Sequence, residues 1–163
     1  MATVSIVYQS SRGHTRALAE AVARGATSVA GTDARLIEIQ PKHVIDGRWN
    51  DEATTVQLAQ SDAIVFGCAT YMGSVSAIYK MGMIWVGVGD PLGANWSGGT
   101  VNDVNRLGTW LGAMGQSNGD QGADLAPSQG DRITAERPGA RVAGITQRLL
   151  GVGTYETERV KAR

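Results

Sequence analysis

The sequence predicts an α/β fold, in which helices cover both faces of an open, doubly wound parallel sheet. Apolar runs rich in β-branched residues recur in the first half of the chain, as they do in buried parallel strands. Segments with helical spacing of apolar residues separate these runs, and this alternation favours parallel strands joined by crossover helices. A length of 163 residues suits one domain. We expect that domain over residues 1–150 and a charged tail over 151–163.

The first strand and the first helix are the clearest elements. Residues 4–8 form an apolar, β-branched run that predicts a buried strand. Residues 10–15 follow as a turn with hydroxyl side chains and one glycine. One helical face then carries Leu18, Ala21, Val22 and Gly25. We expect Gly25 or Gly31 to end this helix.

A second strand and a short helix come next. Residues 34–39 alternate polar and apolar side chains, which predicts a strand near the edge of the sheet. Pro41 closes this strand, and residues 41–50 read as a loop. We expect Asn50 or Asp51 to cap the short helix that follows.

The second half of the chain is less regular. Residues 62–68 are almost continuously apolar, which is typical of a central parallel strand, and residues 83–88 predict a fourth buried strand. Residues 89–126 are rich in Gly, Asn and Asp and show almost no period, so we expect a functional or mobile segment. A final helix follows, and Pro138 must either begin it or kink it. Its predicted stripe consists of Ile133, Arg137, Val142, Ile145 and Leu149.

The turn after the first strand predicts an anion site. A strand, a turn and a helix in that order place free backbone N–H groups at the helix N-terminus. Ser10, Ser11 and Thr15 add hydroxyl donors, Arg12 adds positive charge, and a phosphate group is the favoured ligand. The turn lacks the Gly-Lys pair of a Walker loop and the three glycines of a dinucleotide fingerprint. A capped turn without a ligand is the alternative.

Composition excludes several classes of protein. Fifteen basic residues balance fifteen acidic ones, so net charge predicts no affinity for nucleic acid or an anionic membrane. Cys68 is the only cysteine, which excludes an intrachain disulfide and a cysteine-based zinc cluster. His14 and His43 have no second ligand at helical spacing, so we expect no metal. The longest apolar run, residues 81–89, is too short to span a bilayer, and a cytoplasmic protein is expected.

Four stretches together resemble a known family. They are residues 10–15, residues 69–74, the glycine-rich loop 93–122 and residues 127–143. In this order they are similar to the flavodoxin-fold, WrbA-type NAD(P)H:quinone oxidoreductases and related FMN reductases. The resemblance implies a doubly wound sheet of strand order 2-1-3-4-5. It also implies bound FMN, NAD(P)H as co-substrate, a quinone-type acceptor and a homo-oligomer, either a dimer or a tetramer.

The resemblance assigns the cofactor contacts residue by residue. The FMN phosphate would be held by Ser10, Arg12, Gly13, His14 and Thr15. The isoalloxazine ring would be lined by Ala69, Thr70, Tyr71, Met72 and Gly73. In relatives a proline is common where Ala69 stands. No catalytic side chain is implied, because the flavin itself carries the redox chemistry.

The chain departs from the family between Lys80 and Met81. About fifty family residues have no counterpart there, and the fourth strand of the family is among them. Residues 75–82 are too few for a parallel crossover, which needs about a dozen residues. Either a segment is missing here, with the numbering closed over the gap, or the protein carries a true deletion with a rearranged sheet. A one-electron flavodoxin carrier and a flavin-free variant of the fold therefore remain as alternative functions.

Several side chains have both a structural and a functional interpretation. Cys68 ends an apolar strand and is expected to be a small core residue rather than a nucleophile. Trp85 is expected in the core. Trp96 and Trp110 lie in the irregular segment, where they either wall a flavin pocket or simply pack.

Overall fold

The computed structural model describes residues 1–46, 48–68, 84, 86–90 and 97–151. These residues form an α/β structure, as the sequence predicts. A 3-10 helix covers Pro41–His43. The other elements, in chain order, are β1 (Ala2–Tyr8), α1 (His14–Thr27), β2 (Thr32–Glu38), β3 (Val44–Ile45), β4 (Arg48–Trp49), α2 (Glu52–Ala59), β5 (Ala63–Gly67) and α3 (Gln129–Leu149).

The main sheet has the order β2-β1-β5, and both pairings are parallel. Ile6 of β1 stands opposite Leu36 of β2 and Val65 of β5. Strand β5 corresponds to the predicted third strand, residues 62–68, so the observed order matches the first three positions of the predicted order, 2-1-3. Among the described strands, β2 lies at the sheet edge, as predicted. The carboxyl ends of β1 and β5 meet at one edge of the sheet, because parallel strands end on the same side.

The loop predicted over residues 41–50 contains more structure than expected. After the 3-10 turn, β3 and β4 pair as a short antiparallel hairpin. Of the two predicted caps, Asp51 is the one that caps α2, by accepting a hydrogen bond from Thr54 N at 3.1 Å. The imidazole Nδ1 of His43 lies 3.0 Å from Asp51 Oδ2, so His43 supports the entry to this helix.

The prediction of a fourth buried strand over residues 83–88 is wrong in the part that the structure describes. Ile84 is 70% exposed, and neither Ile84 nor residues 86–90 belong to a strand. Val88 is buried, but its N–H donates to Trp110 O at 3.2 Å, so this stretch pairs with the irregular segment instead of the sheet. Met83, Trp85 and the Lys80–Met81 junction lie outside the described residues.

Helices α1 and α3 pack together on one face of the sheet. The core here combines Val4, Ile6 and Tyr8 of β1 with small residues of both helices. Neither Gly25 nor Gly31 ends α1, contrary to the prediction, because the helix continues to Thr27 and Ser28 is its C-cap. A Cβ atom at Gly25 would lie 1.8 Å from the carbonyl oxygen of Glu136, and one at Gly139 would lie 2.1 Å from that of Val22. The two glycines therefore let the helices cross in backbone contact.

The buried face of α3 differs from the predicted stripe. Arg137 and Leu149 are exposed, and Ile133, Val142 and Ile145 are only half-buried. Small and polar residues face the core instead, because the close crossing leaves no room for larger ones; they include Thr134, Ala135, Gly139, Ala143 and Thr146. The helix starts at Gln129, so it does not begin at Pro138, which lies inside it.

The irregular segment is confirmed over its described part, residues 89–90 and 97–126, which contains neither helix nor strand. Polar contacts anchor it to the first turns of α3. Asp131 is 1% exposed and accepts two hydrogen bonds of 2.8 Å from Arg106. Asn105 is 2% exposed, and its N–H donates to Thr134 Oγ1 at 2.7 Å. Buried and charge-assisted bonds of this kind fix a loop that has no backbone ladder of its own.

Candidate functional site: the turn between β1 and α1

The predicted anion site lies at the carboxyl edge of the sheet. Gln9 N donates to Gly67 O at 3.1 Å, which joins the end of β1 to the end of β5. The methyl group of Thr15 lies 3.6 Å from the position that a Cβ at Gly67 would take. The first turn of α1 is therefore held beside two strand ends, where open parallel sheets bind their ligands.

Ser10 shapes the turn. Its hydroxyl oxygen accepts hydrogen bonds from Gly13 N at 3.1 Å and from Arg16 N at 3.2 Å. Gly13 precedes the helix with φ of 84°, a left-handed conformation that glycine adopts without strain. Because Gly13 has no side chain to cap the helix, the Ser10 hydroxyl replaces that function from three residues earlier.

Two backbone donors of the turn remain open. Neither His14 N nor Thr15 N has a hydrogen-bond partner among the described residues. The first turn of α1 contains no acidic residue, and Ser11 and Arg12 are exposed. Open N–H groups at an acid-free helix N-terminus favour an anion, since the helix dipole adds partial positive charge there. The donor set of this turn fits a phosphate group.

Arg16 lies on the outer side of the same turn. Its guanidinium forms an ion pair with Glu38 at the end of β2. The hydrogen bond from Arg16 to this carboxylate raises the pKa of Arg16, so the side chain stays charged. The pair ties α1 to the sheet edge and keeps a fixed cation one residue beyond the predicted phosphate contacts.

The side chains of Arg12 and His14 contact a distant part of the chain. Arg12 Nη1 donates to Gly119 O at 2.6 Å. His14 Nε2 lies 2.8 Å from Gln121 O, and because a carbonyl oxygen only accepts, this nitrogen carries the proton. The segment 118–124, which we call the strap, therefore covers one side of the turn. The strap lies in the irregular segment that was expected to be functional or mobile, but its contact with the turn was not predicted.

The predicted ring-binding residues Ala69, Thr70, Tyr71, Met72 and Gly73 lie outside the described residues, as does Trp96. Cys68, just before them, is exposed, so the prediction of a core residue is wrong. It stands beyond the last paired residue of β5, where the sheet no longer covers it. Trp110 is 67% exposed and does not pack in the core.

The described residues contain neither a metal-binding cluster nor a membrane-spanning helix. Within the described ranges, no three His, Cys, Asp or Glu side chains come together in a way that could hold a metal ion. Likewise, no helix among those ranges combines the length and the apolar character that crossing a bilayer requires.

Comparison with known proteins identifies the family. The profile of the family described as NADPH-dependent FMN reductase matches residues 3–124, which include the turn, β5 and the whole strap. The chain belongs to this family. The family prediction of the sequence analysis is thereby confirmed, and the NADPH-dependent FMN reductase family is a family of oxidoreductases.

Individual relatives agree with this assignment. "Flavodoxin FldP" of Pseudomonas aeruginosa (strain UCBPP-PA14) is 31% identical over 91% of this chain and 99% of its own length. An "NAD(P)H dehydrogenase (quinone)" of Chromohalobacter salexigens is 33% identical over 77% of this chain and 63% of its own length. Another protein of that name, from Rhizobium johnstonii, is 30% identical over 97% of this chain and 79% of its own length.

The alignment with flavodoxin FldP also bears on the internal departure from the family. It extends over 195 positions but takes in 91% of the 163 residues of this chain, or about 148. About 47 of the 195 positions therefore fall opposite gaps in this chain. This shortfall is close to the fifty or so residues that the family resemblance predicts to be missing.

Proposed function

We propose that this chain binds FMN and transfers two electrons from NAD(P)H to a quinone-type acceptor. The family supports this function, and two of the relatives carry names of that activity. The observation that carries the proposal is the acid-free first turn of α1, with two open N–H groups at the carboxyl edge of a parallel sheet.

In this proposal the turn between β1 and α1 binds the FMN phosphate. The backbone N–H groups of His14 and Thr15 and the Thr15 hydroxyl donate to phosphate oxygens. Ser10 and Gly13 hold the turn in the conformation that aims these donors outward. The donors are neutral, but their hydrogen bonds to a charged phosphate are charge-assisted and therefore stronger than bonds between two neutral groups. Together with the helix dipole, such donors are sufficient to bind the phosphate.

The isoalloxazine ring would lie against residues 69–73. This part of the proposal rests on the family resemblance. When bound, FMN supplies the chemistry of accepting hydride from a nicotinamide and passing it to a quinone. The protein binds and orients the cofactor and keeps one face of the ring accessible. No acid or base from a side chain is required.

A second candidate is a flavodoxin-type electron carrier. The similarity to flavodoxin FldP over 99% of that protein's length favours this alternative. One experiment separates the candidates. The protein is purified with added FMN, and flavin absorbance and NAD(P)H oxidation are recorded with and without benzoquinone. Turnover supports the reductase, whereas retained flavin without turnover supports the carrier. Failure to retain flavin would contradict both.

The phosphate site has its own test. Replacing both Ser10 and Thr15 by Ala should weaken FMN binding at least tenfold, because about 1.4 kcal/mol of hydrogen bonding is lost. Thr27→Ala, at the opposite end of α1, is the matched control and should leave the affinity unchanged. Unchanged affinity in the double variant would exclude this turn as the phosphate site.

The assembly and the location complete the proposal. On the family resemblance we expect a homo-oligomer, a dimer or a tetramer. The cytoplasmic location is an expectation from the sequence pattern. Sedimentation of the FMN-loaded protein tests the first expectation, and cell fractionation tests the second.

A further inference from the structure

We propose that Arg12 and His14 are positioning residues rather than phosphate ligands, and that they act through the strap 118–124. Their side chains hold the strap against the turn between β1 and α1, and the strap keeps that turn in the form that binds phosphate. The proposal rests on the proposed function, since it concerns how the same turn recognises FMN. It differs from the sequence analysis, which assigned both side chains to the phosphate itself.

Two side chains of the turn bind carbonyl groups of the strap. Arg12 Nη1 and His14 Nε2 reach Gly119 O and Gln121 O at 2.6 and 2.8 Å, and each bond joins residues 107 positions apart. Two long-range bonds to carbonyl groups two residues apart fix both the position and the direction of the strap. Arg12 is well suited to this because its guanidinium stays charged and its bond to a carbonyl is charge-assisted.

The strap is also supported by α3. Arg132 Nη2 donates to Ala123 O at 2.6 Å, and Arg132 Nε donates to Pro127 O at 3.1 Å. Within the strap, Gln121 N donates to Asn118 O at 3.2 Å, which closes a turn. The strap is therefore held at both ends, by the turn and by α3, and is not a loose loop.

The strap and the turn are also in steric contact. A Cβ atom at Gly13 would lie 2.9 Å from the Cβ atom of Ala123, closer than two such atoms ordinarily approach. The strap thus packs directly on the residue whose left-handed φ starts α1. This contact limits the positions that Gly13 can take.

The hydrogen bonds of the strap also have an electrostatic effect. The carbonyl groups of Gly119, Gln121 and Ala123 each accept a hydrogen bond from Arg12, His14 or Arg132. Partial negative charge on the strap is thereby directed into side chains and away from the open N–H groups.

The test compares four variants in binding titrations with FMN and with riboflavin, which lacks the phosphate. Arg12→Gln and His14→Ala should each weaken FMN binding about tenfold and leave riboflavin binding nearly unchanged, since one hydrogen bond of this kind is lost. His14→Gln should restore affinity, because its amide donates to the same carbonyl. Arg35→Gln is the control; Arg35 pairs with Asp33 on the exposed edge of β2.

A second measurement separates positioning from direct contact. Hydrogen exchange of the strap amides is followed in the flavin-free protein, where a phosphate ligand would have no effect. Faster exchange over 119–123 in Arg12→Gln and His14→Ala supports the proposal. If exchange were unchanged while FMN binding weakened, the two side chains would be phosphate ligands, and the proposal would be overturned. Equal losses of affinity for FMN and riboflavin would also overturn the proposal. If the wild-type protein bound no FMN, the proposed function would fail, while unchanged exchange would still refute the role of the strap.

Discussion

At the scale of single residues, Gly13 carries two constraints at once. Its φ of 84° costs an ordinary L-residue about 1–2 kcal/mol, and its missing side chain makes room for Ala123. We therefore expect Gly13→Ala to lower the free energy of unfolding by about 2 kcal/mol or more. Urea denaturation measures the loss. Adding Ala123→Gly should recover the steric part and leave the conformational part. A Gly13→Ala variant as stable as the wild type would contradict this account.

Asp51 predicts a dependence of stability on pH. Its carboxylate accepts hydrogen bonds from the side chain of Thr54 at 2.6 Å and from the backbone N–H of Thr54 at 3.1 Å. These two bonds lower the pKa of Asp51 below its ordinary value. Since the folded state holds the proton less tightly than the unfolded state, the contribution of this cap is complete above the unfolded pKa. It is lost as the pH falls below about 4.

The corresponding experiment uses Asp51→Asn, which keeps an oxygen acceptor for the N–H of Thr54 but does not titrate. The urea midpoints of wild type and variant should differ most near neutral pH, with the wild type more stable, and converge in acid. Because all other carboxylates are common to both proteins, their titration cancels in the difference. A constant difference down to about pH 3 would show that the charge of Asp51 does not stabilise the cap.

At the scale of elements, the crossing of α1 and α3 determines the core on one face of the sheet. A methyl group at Gly25 or Gly139 would lie within 1.8 or 2.1 Å of a backbone oxygen in the opposite helix. A backbone carbonyl in a helix cannot turn aside, so the helices would have to separate. We expect Gly25→Ala and Gly139→Ala each to cost about 3 kcal/mol or more.

Gly112→Ala provides a matched control, because nothing lies within 4 Å of a Cβ atom at that position. Its unfolding free energy should stay within about 0.5 kcal/mol of the wild type. If the two helix variants were as mild as this control, the close crossing would not hold the core together. Thermal or urea denaturation of the three proteins decides the matter.

The sequence predicts well those elements that depend on neighbouring residues, and it predicts poorly those that depend on a distant contact such as this crossing. Strand β1, the cap at Asp51 and the start of α1 depend on neighbours in the chain, and the observed bounds lie within two residues of the prediction. The buried face of α3 depends on a distant helix. Its apolar residues indicate one face, whereas Gly139 and Ala143 occupy the contact because only small side chains fit there. Hydrophobic periodicity does not detect a face selected for smallness.

At the scale of the whole molecule, the candidate site combines parts that are remote in sequence. The turn at Ser10–Thr15 is recognisable from its own residues, because a strand followed by hydroxyl residues, glycine and a helix is a local pattern. The strap is not recognisable in this way, since its link to the turn is two hydrogen bonds between residues 107 positions apart. Residues 83–88 show the same limit: an apolar run predicts a strand, but Val88 pairs with Trp110.

The last prediction concerns the coupling of cofactor binding to folding. The proposed phosphate contacts join β1, α1 and, through the strap, α3, and unfolding separates all of these. FMN at about 100 times its dissociation constant should therefore add about 2.7 kcal/mol to the unfolding free energy. For a domain of this size, that corresponds to a rise in Tm of roughly 5–10 °C. Differential scanning fluorimetry or circular dichroism measures the shift. Riboflavin at the same concentration should produce a smaller one, because it leaves the open N–H groups of His14 and Thr15 without a phosphate. Equal shifts in Tm for the two flavins would show that the phosphate does not contribute to binding, and would contradict the role assigned to this turn.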